Sequence, residues 1–317
     1  MSAEHSNWHI IQSLAVNAII AVAKLAAALF VGSGAMMAEA IHSFADCANQ
    51  ILLLIGLRQA RRAPDAKHPL GYGRNVYFWS FMVALLLFTG GGVFSMYEGI
   101  SKLAHPEPME HLGWAIGILA FSLCLEGWST YDNVKELNKR RGSKGFIKYL
   151  QDTKDSDLVV VFGENGADVL GLLVALSSIL VYTLTGEERA DAVGSIAVGV
   201  VLVAVSVFLA REVKSLLVGE SADPAINDAA VASAQEDTRI VEVIHCITMQ
   251  QGPGEVLVVI KIKCQDQLSA RDVSAMINEF EARLRARRPE CRWVYVEPDL
   301  QEWKAALSHS SATAATG

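Results

Sequence analysis

Apolar residues fill six long blocks between Trp8 and Ala210, and short polar connections separate them. The blocks are Trp8–Val31, Ala35–Leu57, Val76–Ile100, Leu112–Thr130, Leu158–Leu184 and Ala190–Ala210. Each holds 19–27 residues, and a helix needs about 20 to cross the hydrocarbon core of a bilayer. The pattern predicts six transmembrane helices. Met1–Asn7 lacks the basic stretch and small-residue cleavage site of a signal peptide, so the first block is expected to be a retained span.

Beyond Ala210 the pattern changes to short periodic segments with ordinary charge. Asp223–Glu236 reads as a helix, with Asp223 as N-cap and Pro224 in the first turn. Ile240–Met249 and Val256–Lys263 read as strands joined by the hairpin signal Gln251-Gly252-Pro253-Gly254. Ser269–Arg287 is an amphipathic helix with Met276, Ile277, Phe280 and Leu284 on one face, opened by Ser269 and Asp272. Cys291–Val296 is a last short strand. The expected organisation is a six-helix transmembrane domain over residues 1–211 and an α+β domain, α-β-β-α-β, over 212–305. The Ser/Ala/Thr-rich residues 306–317 are expected to be a disordered tail.

Charge gives the orientation. The connection between the second and third blocks holds Arg58, Arg61, Arg62, Lys67 and Arg74. The one between the fourth and fifth holds Lys135, Lys139, Arg140, Arg141, Lys144 and Lys148, whereas the opposite connections hold only Lys102 and Arg189. Basic connections stay in the cytoplasm, so both termini and the α+β domain are expected there. The compact connections and the lack of a targeting segment point to a bacterial inner membrane. Charged residues are 19% of the chain, against about 25% in soluble domains, and 52% of residues are apolar. This excludes a disordered chain. The net charge of −7 argues against nucleic acid as a partner. Five scattered cysteines without a C-x-x-C pair exclude a disulfide scaffold and a zinc ribbon.

Ionisable residues inside spans are functional candidates. Here they are Lys24, Glu39, His42, Asp46, Glu126, Glu164, Asp168 and Asp191. Two pairs share one spacing: His42 and Asp46 in the second block, Glu164 and Asp168 in the fifth. Residues i and i+4 lie on one helix face, so each pair offers two ligand atoms. At 1.5 Å per residue, His42 and Asp46 lie roughly 10 and 17 Å from the outer end of their span, and Glu164 and Asp168 roughly 9 and 15 Å from the inner end of theirs. The two helices run antiparallel, which sets His42 level with Asp168 and Asp46 level with Glu164. One nitrogen and three carboxylates then converge near the midplane, a set suited to a divalent transition metal. Without a cation the carboxylates would repel and take up protons. Lys24 is expected to pair with Glu39 or Glu126, and Asp191 to be a water-facing cap at the outer end of the sixth span.

The second connection reads Pro64-Asp65-Ala66-Lys67-His68-Pro69-Leu70-Gly71-Tyr72-Gly73-Arg74. With the H-x-x-x-D span before it, four spans after it and the α-β-β-α-β tail, the chain from about Trp8 to Glu297 resembles the cation diffusion facilitator family. The runs Ala38-Glu39-Ala40-Ile41-His42-Ser43, Ala104-His105-Pro106-Glu107-Pro108 and Leu216-Leu217-Val218-Gly219-Glu220 resemble its zinc transporter nine branch. The resemblance implies a homodimer that exports divalent metal in exchange for protons by alternating access, with a ferredoxin-like cytoplasmic domain. It places the transport site on His42, Asp46, Glu164 and Asp168. Relatives with a metal site in the second connection use an Asp and one or two His. Asp65 and His68 match that secondary site, with Tyr72 where the second His would stand. Glu164 also departs from the usual His or Asp, and the tail has a single histidine, His245, where some relatives carry a cluster.

The transported ion is expected to be Zn²⁺, with Fe²⁺, Mn²⁺ and Co²⁺ as alternatives, and no prosthetic group is implied. Two other function classes fit a buried His/carboxylate set. A membrane-embedded metalloenzyme would need an open metal position and a general base, and no H-E-x-x-H helix is present. A passive metal channel would pass metal without moving protons. The Gly90-Gly91-Gly92 run, Gly166 and Gly171 are expected to let helices approach closely.

Overall fold

The computed structural model describes residues 3–106, 108–109, 111–142, 145–146, 149–150 and 156–299. The expected tail over 306–317 lies outside the described residues, as do Lys144 and Lys148 of the basic connections. The chain divides into two compact units, with breaks after Gln59, Arg74 and Ser215. The first unit takes the apolar helices. The second takes the C-terminal region together with the connection 60–74.

The first unit contains α1 (Ala3–Val31), α2 (Gly34–Ala60), α3 (Asn75–Leu86), α4 (Phe94–Ala104), α5 (Leu112–Arg140), α6 (Ser156–Thr185) and α7 (Arg189–Val218). A π-helical stretch, Leu87–Val93, joins α3 to α4 as one apolar rod. Among the described residues, five helices are long and apolar enough to span a membrane: Gly34–Ala60, Asn75–Ala104, Leu112–Arg140, Phe162–Thr185 and Arg189–Val218. The described part of α1 adds a shorter apolar stretch, Asn17–Val31. Large apolar side chains such as Ile19, Trp114, Trp128 and Leu184 remain exposed on the outside, as contact with lipid requires.

Small residues set the closest approaches. Ala27, Ala28, Ala35, Ala115 and Ala175 pack with Met36, Leu119, Leu172 and Ile179 where α1, α2, α5 and α6 meet. Gly92 and Gly199 bring the π stretch against α7: a Cβ on Gly92 would lie 2.6 Å from Val203, and one on Gly199 would lie 2.9 Å from the Gly92 carbonyl. The glycine run therefore works as expected at Gly91 and Gly92. Gly90 and Gly166 have open space beside them, so for these two the expectation is corrected.

The second unit holds α8 (Pro224–Gln235), β1 (Ile240–Gly252), β2 (Glu255–Cys264), α9 (Ala270–Arg287) and β3 (Cys291–Pro298). The sheet order is β1-β2-β3, with β1 antiparallel and β3 parallel to β2. Asp223 accepts from the Ala225 amide and caps α8. Ser269 and Asp272 form a reciprocal capping box on α9. Val256, Val258, Ile260 and Ile262, alternating along β2, face Ile226 and Ala230 of α8 and Met276, Phe280 and Leu284 of α9. β1 runs three residues further than the hydrophobic pattern suggests, because Gly252 pairs with Glu255 across Pro253-Gly254, and Gly254 takes φ +69°. Within this unit the connection 60–74 reaches the hairpin. Gly73 and Gly252 cross backbone to backbone, and a Cβ on Gly73 would lie 2.7 Å from the Gln251 carbonyl.

Candidate functional site

α2 presents a polar stripe to α6. Glu39, His42, Asp46 and Asn49 recur at intervals of three or four residues, which keeps them on one helical face. The antiparallel register is read from three contacts. Glu39 Oε1 takes the space that a Cβ on Gly171 would need, His42 meets Asp168, and Asn49 meets Glu164.

His42 Nε2 lies 2.8 Å from Asp168 Oδ1, and His42 Nδ1 lies 3.7 Å from Asp46 Oδ1. The imidazole is fully buried, whereas the Asp168 and Asp46 side chains are 9% and 16% exposed. Both ring nitrogens and one oxygen of each carboxylate are shielded from solvent and lack an aligned hydrogen-bond partner. The distance from His42 to Asp168 is that of a hydrogen bond; the alignment is not. Among the described residues this is the one group of three or more His, Cys, Asp or Glu side chains whose ligand atoms all lie within 4.8 Å of one another. Buried polar atoms left unpaired are costly, and a cation held between them removes that cost.

The fourth residue expected in the set, Glu164, stands apart from the trio. Its Oε1 accepts from Asn49 Nδ2 at 2.5 Å. Asn49 is buried, and its own Oδ1 has no partner. A search for ionisable residues alone passes over Asn49. The signal that finds it is its place seven residues after His42, on the same face.

Lys24 and Asp191, two other charges of the apolar helices, have polar partners. Lys24 Nζ donates to Ser43 Oγ at 2.9 Å and lies 3.5 Å from Glu39 Oε2, with both charged side chains fully buried. Asp191 is buried rather than water-facing. It accepts from Ser33 Oγ and from the Gly34 and Ala35 amides, at 2.5, 2.6 and 3.2 Å. It thus caps α2 and not its own helix, and Lys102 Nζ lies 3.6 Å away.

The profile of the cation efflux transmembrane domain family matches residues 10–218, which takes in all seven helices of the first unit in whole or in part. The chain belongs to the cation efflux family. The mitochondrial proton-coupled zinc antiporter SLC30A9 of Xenopus laevis is 39% identical over 68% of this chain and 39% of its own length. Metal tolerance protein C4 of Arabidopsis thaliana is 30% identical over 79% of this chain and 55% of its own. Magnetosome protein MamB of a Magnetospira species is 24% identical over 84% of this chain and 85% of its own. The chain therefore spans well under two thirds of the first two relatives. Cation efflux proteins are membrane transporters, not enzymes, which sets the metalloenzyme aside.

In this cation efflux protein the second connection brings Asp65 and His68 together in a turn. Asp65 Oδ1 accepts from the Lys67 and His68 amides at 2.9 and 2.7 Å, and Asp65 Oδ2 accepts from the Tyr72 hydroxyl at 2.7 Å. The Tyr72 hydroxyl holds the Asp65 carboxyl below its usual range. His68 stacks on Tyr72 with ring centroids 4.2 Å apart, and its Nδ1 is 3.5 Å from Asp65 Oδ1. In the second unit, Glu297 and Asp299 both meet Lys261, at 3.1 and 2.8 Å. Burial pushes the Cys246 thiol up to about 11.

Proposed function

We propose that the chain exports a divalent transition-metal cation from the cytoplasm in exchange for protons, by alternating access, with Zn²⁺ as the favoured ion. The observation that carries this reading is the buried trio of His42, Asp46 and Asp168, its unpaired ligand atoms turned on one another between two helices. Glu164 completes the set when it turns from Asn49. Metal binding needs a neutral imidazole and ionised carboxylates, and clustered buried carboxylates without a cation take up protons. Metal entering from a neutral cytoplasm thus displaces protons. Protons arriving from the outer side compete for the same atoms and release it. The proposal also takes six spans, α1 included, both termini in the cytoplasm of a bacterial inner membrane, and a homodimer held in part by a ferredoxin-like second unit. The α-β-β-α-β order and the basic connections support those parts, and the named antiporter among the relatives supports zinc.

The test is uptake by vesicles of the purified full chain, with a panel of metals, an imposed pH gradient and an internal proton dye. Zinc flux that moves protons in the opposite direction is the expected result. Asp46→Ala is expected to abolish it while leaving the protein folded. Wild-type flux in that variant would remove the assignment, and metal flux without proton movement would make the protein a channel.

A further inference from the structure

Asn49 is a buried polar residue on the same face of α2 as His42 and Asp46. It is buried and carries no charge, and it makes a single short contact: its Nδ2 donates to Glu164 Oε1 at 2.5 Å. Glu164 is one turn from Asp168 on α6, and Asp168 belongs to the trio while Glu164 does not. The short amide bond to one oxygen fixes the orientation of the whole carboxylate. With Oε1 held by Asn49, Glu164 stays outside the group of ligand atoms that His42, Asp46 and Asp168 form.

Resting on the transport-site reading, we propose that Asn49 is a positioning residue that withholds Glu164 from the metal set. The ion is then met first by His42, Asp46 and Asp168. Glu164 joins only when the Asn49 bond breaks, and the bond re-forms when the ion leaves. Asn49 thereby lowers affinity and speeds release. A site that bound all four groups without this competitor would hold its ion too tightly for turnover, since coordination would need no bond broken elsewhere. An asparagine suits the role better than a lysine or arginine. A cation there would fix Glu164 permanently, whereas an amide gives a hydrogen bond that can be exchanged for a metal bond.

Co²⁺ serves as the probe, because its visible spectrum reports coordination number and geometry. It is titrated into the solubilised full chain as wild type, Asn49→Ala, Glu164→Ala and the double variant. A hydrogen bond to a charged group is strong enough that its removal should tighten Co²⁺ binding in Asn49→Ala by about tenfold or more. The spectrum of the saturated complex should match the wild type, and zinc transport should slow. In the Glu164→Ala background, adding Asn49→Ala should leave affinity unchanged. A role in packing alone would shift both backgrounds alike, and that result overturns the proposal; so does unchanged affinity in the wild-type background. Asn49→Leu, close in volume, takes the place of Asn49→Ala if the smaller side chain fails to yield folded protein. Asp46→Asn is run beside these. If it binds Co²⁺ as the wild type does, the transport site itself is misassigned, an outcome distinct from loss of the Asn49 effect alone.

Discussion

Lys24 is a buried ammonium in an apolar helix, and Glu39 with Ser43 is what holds it there. Removing one partner of such a pair strands the other, which costs about 3–5 kcal/mol, while replacing both with neutral groups is often tolerated. Lys24→Met is therefore expected to lower the unfolding midpoint of the solubilised protein markedly, and Lys24→Met/Glu39→Gln to recover most of it. Thermal unfolding of the two variants beside the wild type checks this, and equal stability of the single variant contradicts the pairing. Glu164 supports a different experiment. Carboxylate is a harder ligand than imidazole, so Glu164→His is expected to shift preference toward Zn²⁺ and away from Mn²⁺. Paired transport assays measure the ratio, and an unchanged ratio means Glu164 never meets the ion. Much of this site is legible in the sequence, because two charged pairs at i and i+4 in apolar helices have few explanations. The choice between Glu39 and Glu126 for Lys24 was not, since it depends on how α1 is rotated against α2 and α5. Periodicity fixes the face of a helix and not its rotation against a neighbour.

Elements show the same division between local and non-local information. The caps of α8 and α9 are visible as Asp223-Pro224 and as Ser269 with Asp272, because the groups that satisfy each other are a few residues apart. The cap of α2 comes from Asp191, more than a hundred and fifty residues downstream, and no local rule reaches it. Nor does any local rule give the π stretch Leu87–Val93, where Gly91 and Gly92 pack against α7. The remote cap has a measurable consequence. Asp191 satisfies two amides that α2 cannot bond internally. Losing a helix cap costs about 0.5–2 kcal/mol in general, and here Ser33 and Lys102 lose their carboxylate as well. Asp191→Ala is expected to raise amide hydrogen exchange at Gly34–Met37 by tenfold or more through loss of that cap, while exchange in the middle of α2 stays slow. Unchanged exchange at Gly34 and Ala35 would show that the cap does not hold in solution.

The whole molecule joins two units whose responses to acid have separate chemical origins. In the first unit, protons and metal compete for the imidazole and carboxylates of the proposed ion site, so acid is expected to expel the metal. In the second unit, the charged network is carboxylate on guanidinium. Asp237 accepts from Arg239 at 2.8 and 2.7 Å and from Arg283 at 3.3 Å, and its side chain is buried. The Arg239 guanidinium holds the Asp237 carboxyl well below the usual carboxylate range, and the hydroxyl of Ser269 does the same, more weakly, for Asp272 at the start of α9. A carboxyl lowered in the folded state stabilises the fold above the unfolded value of about 3.9. That contribution is lost as the pH falls from there through the folded value, because folding then opposes protonation. Between pH 7 and 5 these groups stay ionised in both states, and their contribution does not change. The expected outcome is a separation. On lowering the pH from 7 to 5, the full chain should lose bound Zn²⁺ while hydrogen-exchange protection of β1, β2 and α9 stays constant. Protection of that sheet should begin to fall only below about pH 4. Asp237→Asn should lower sheet protection already at pH 7 and flatten its further decline in acid, without altering the pH at which zinc leaves. Loss of protection in step with loss of zinc between pH 7 and 5 would mean that the two units titrate together. The acid response of the second unit would then have to be sought in the ion site and not in the Asp237 network.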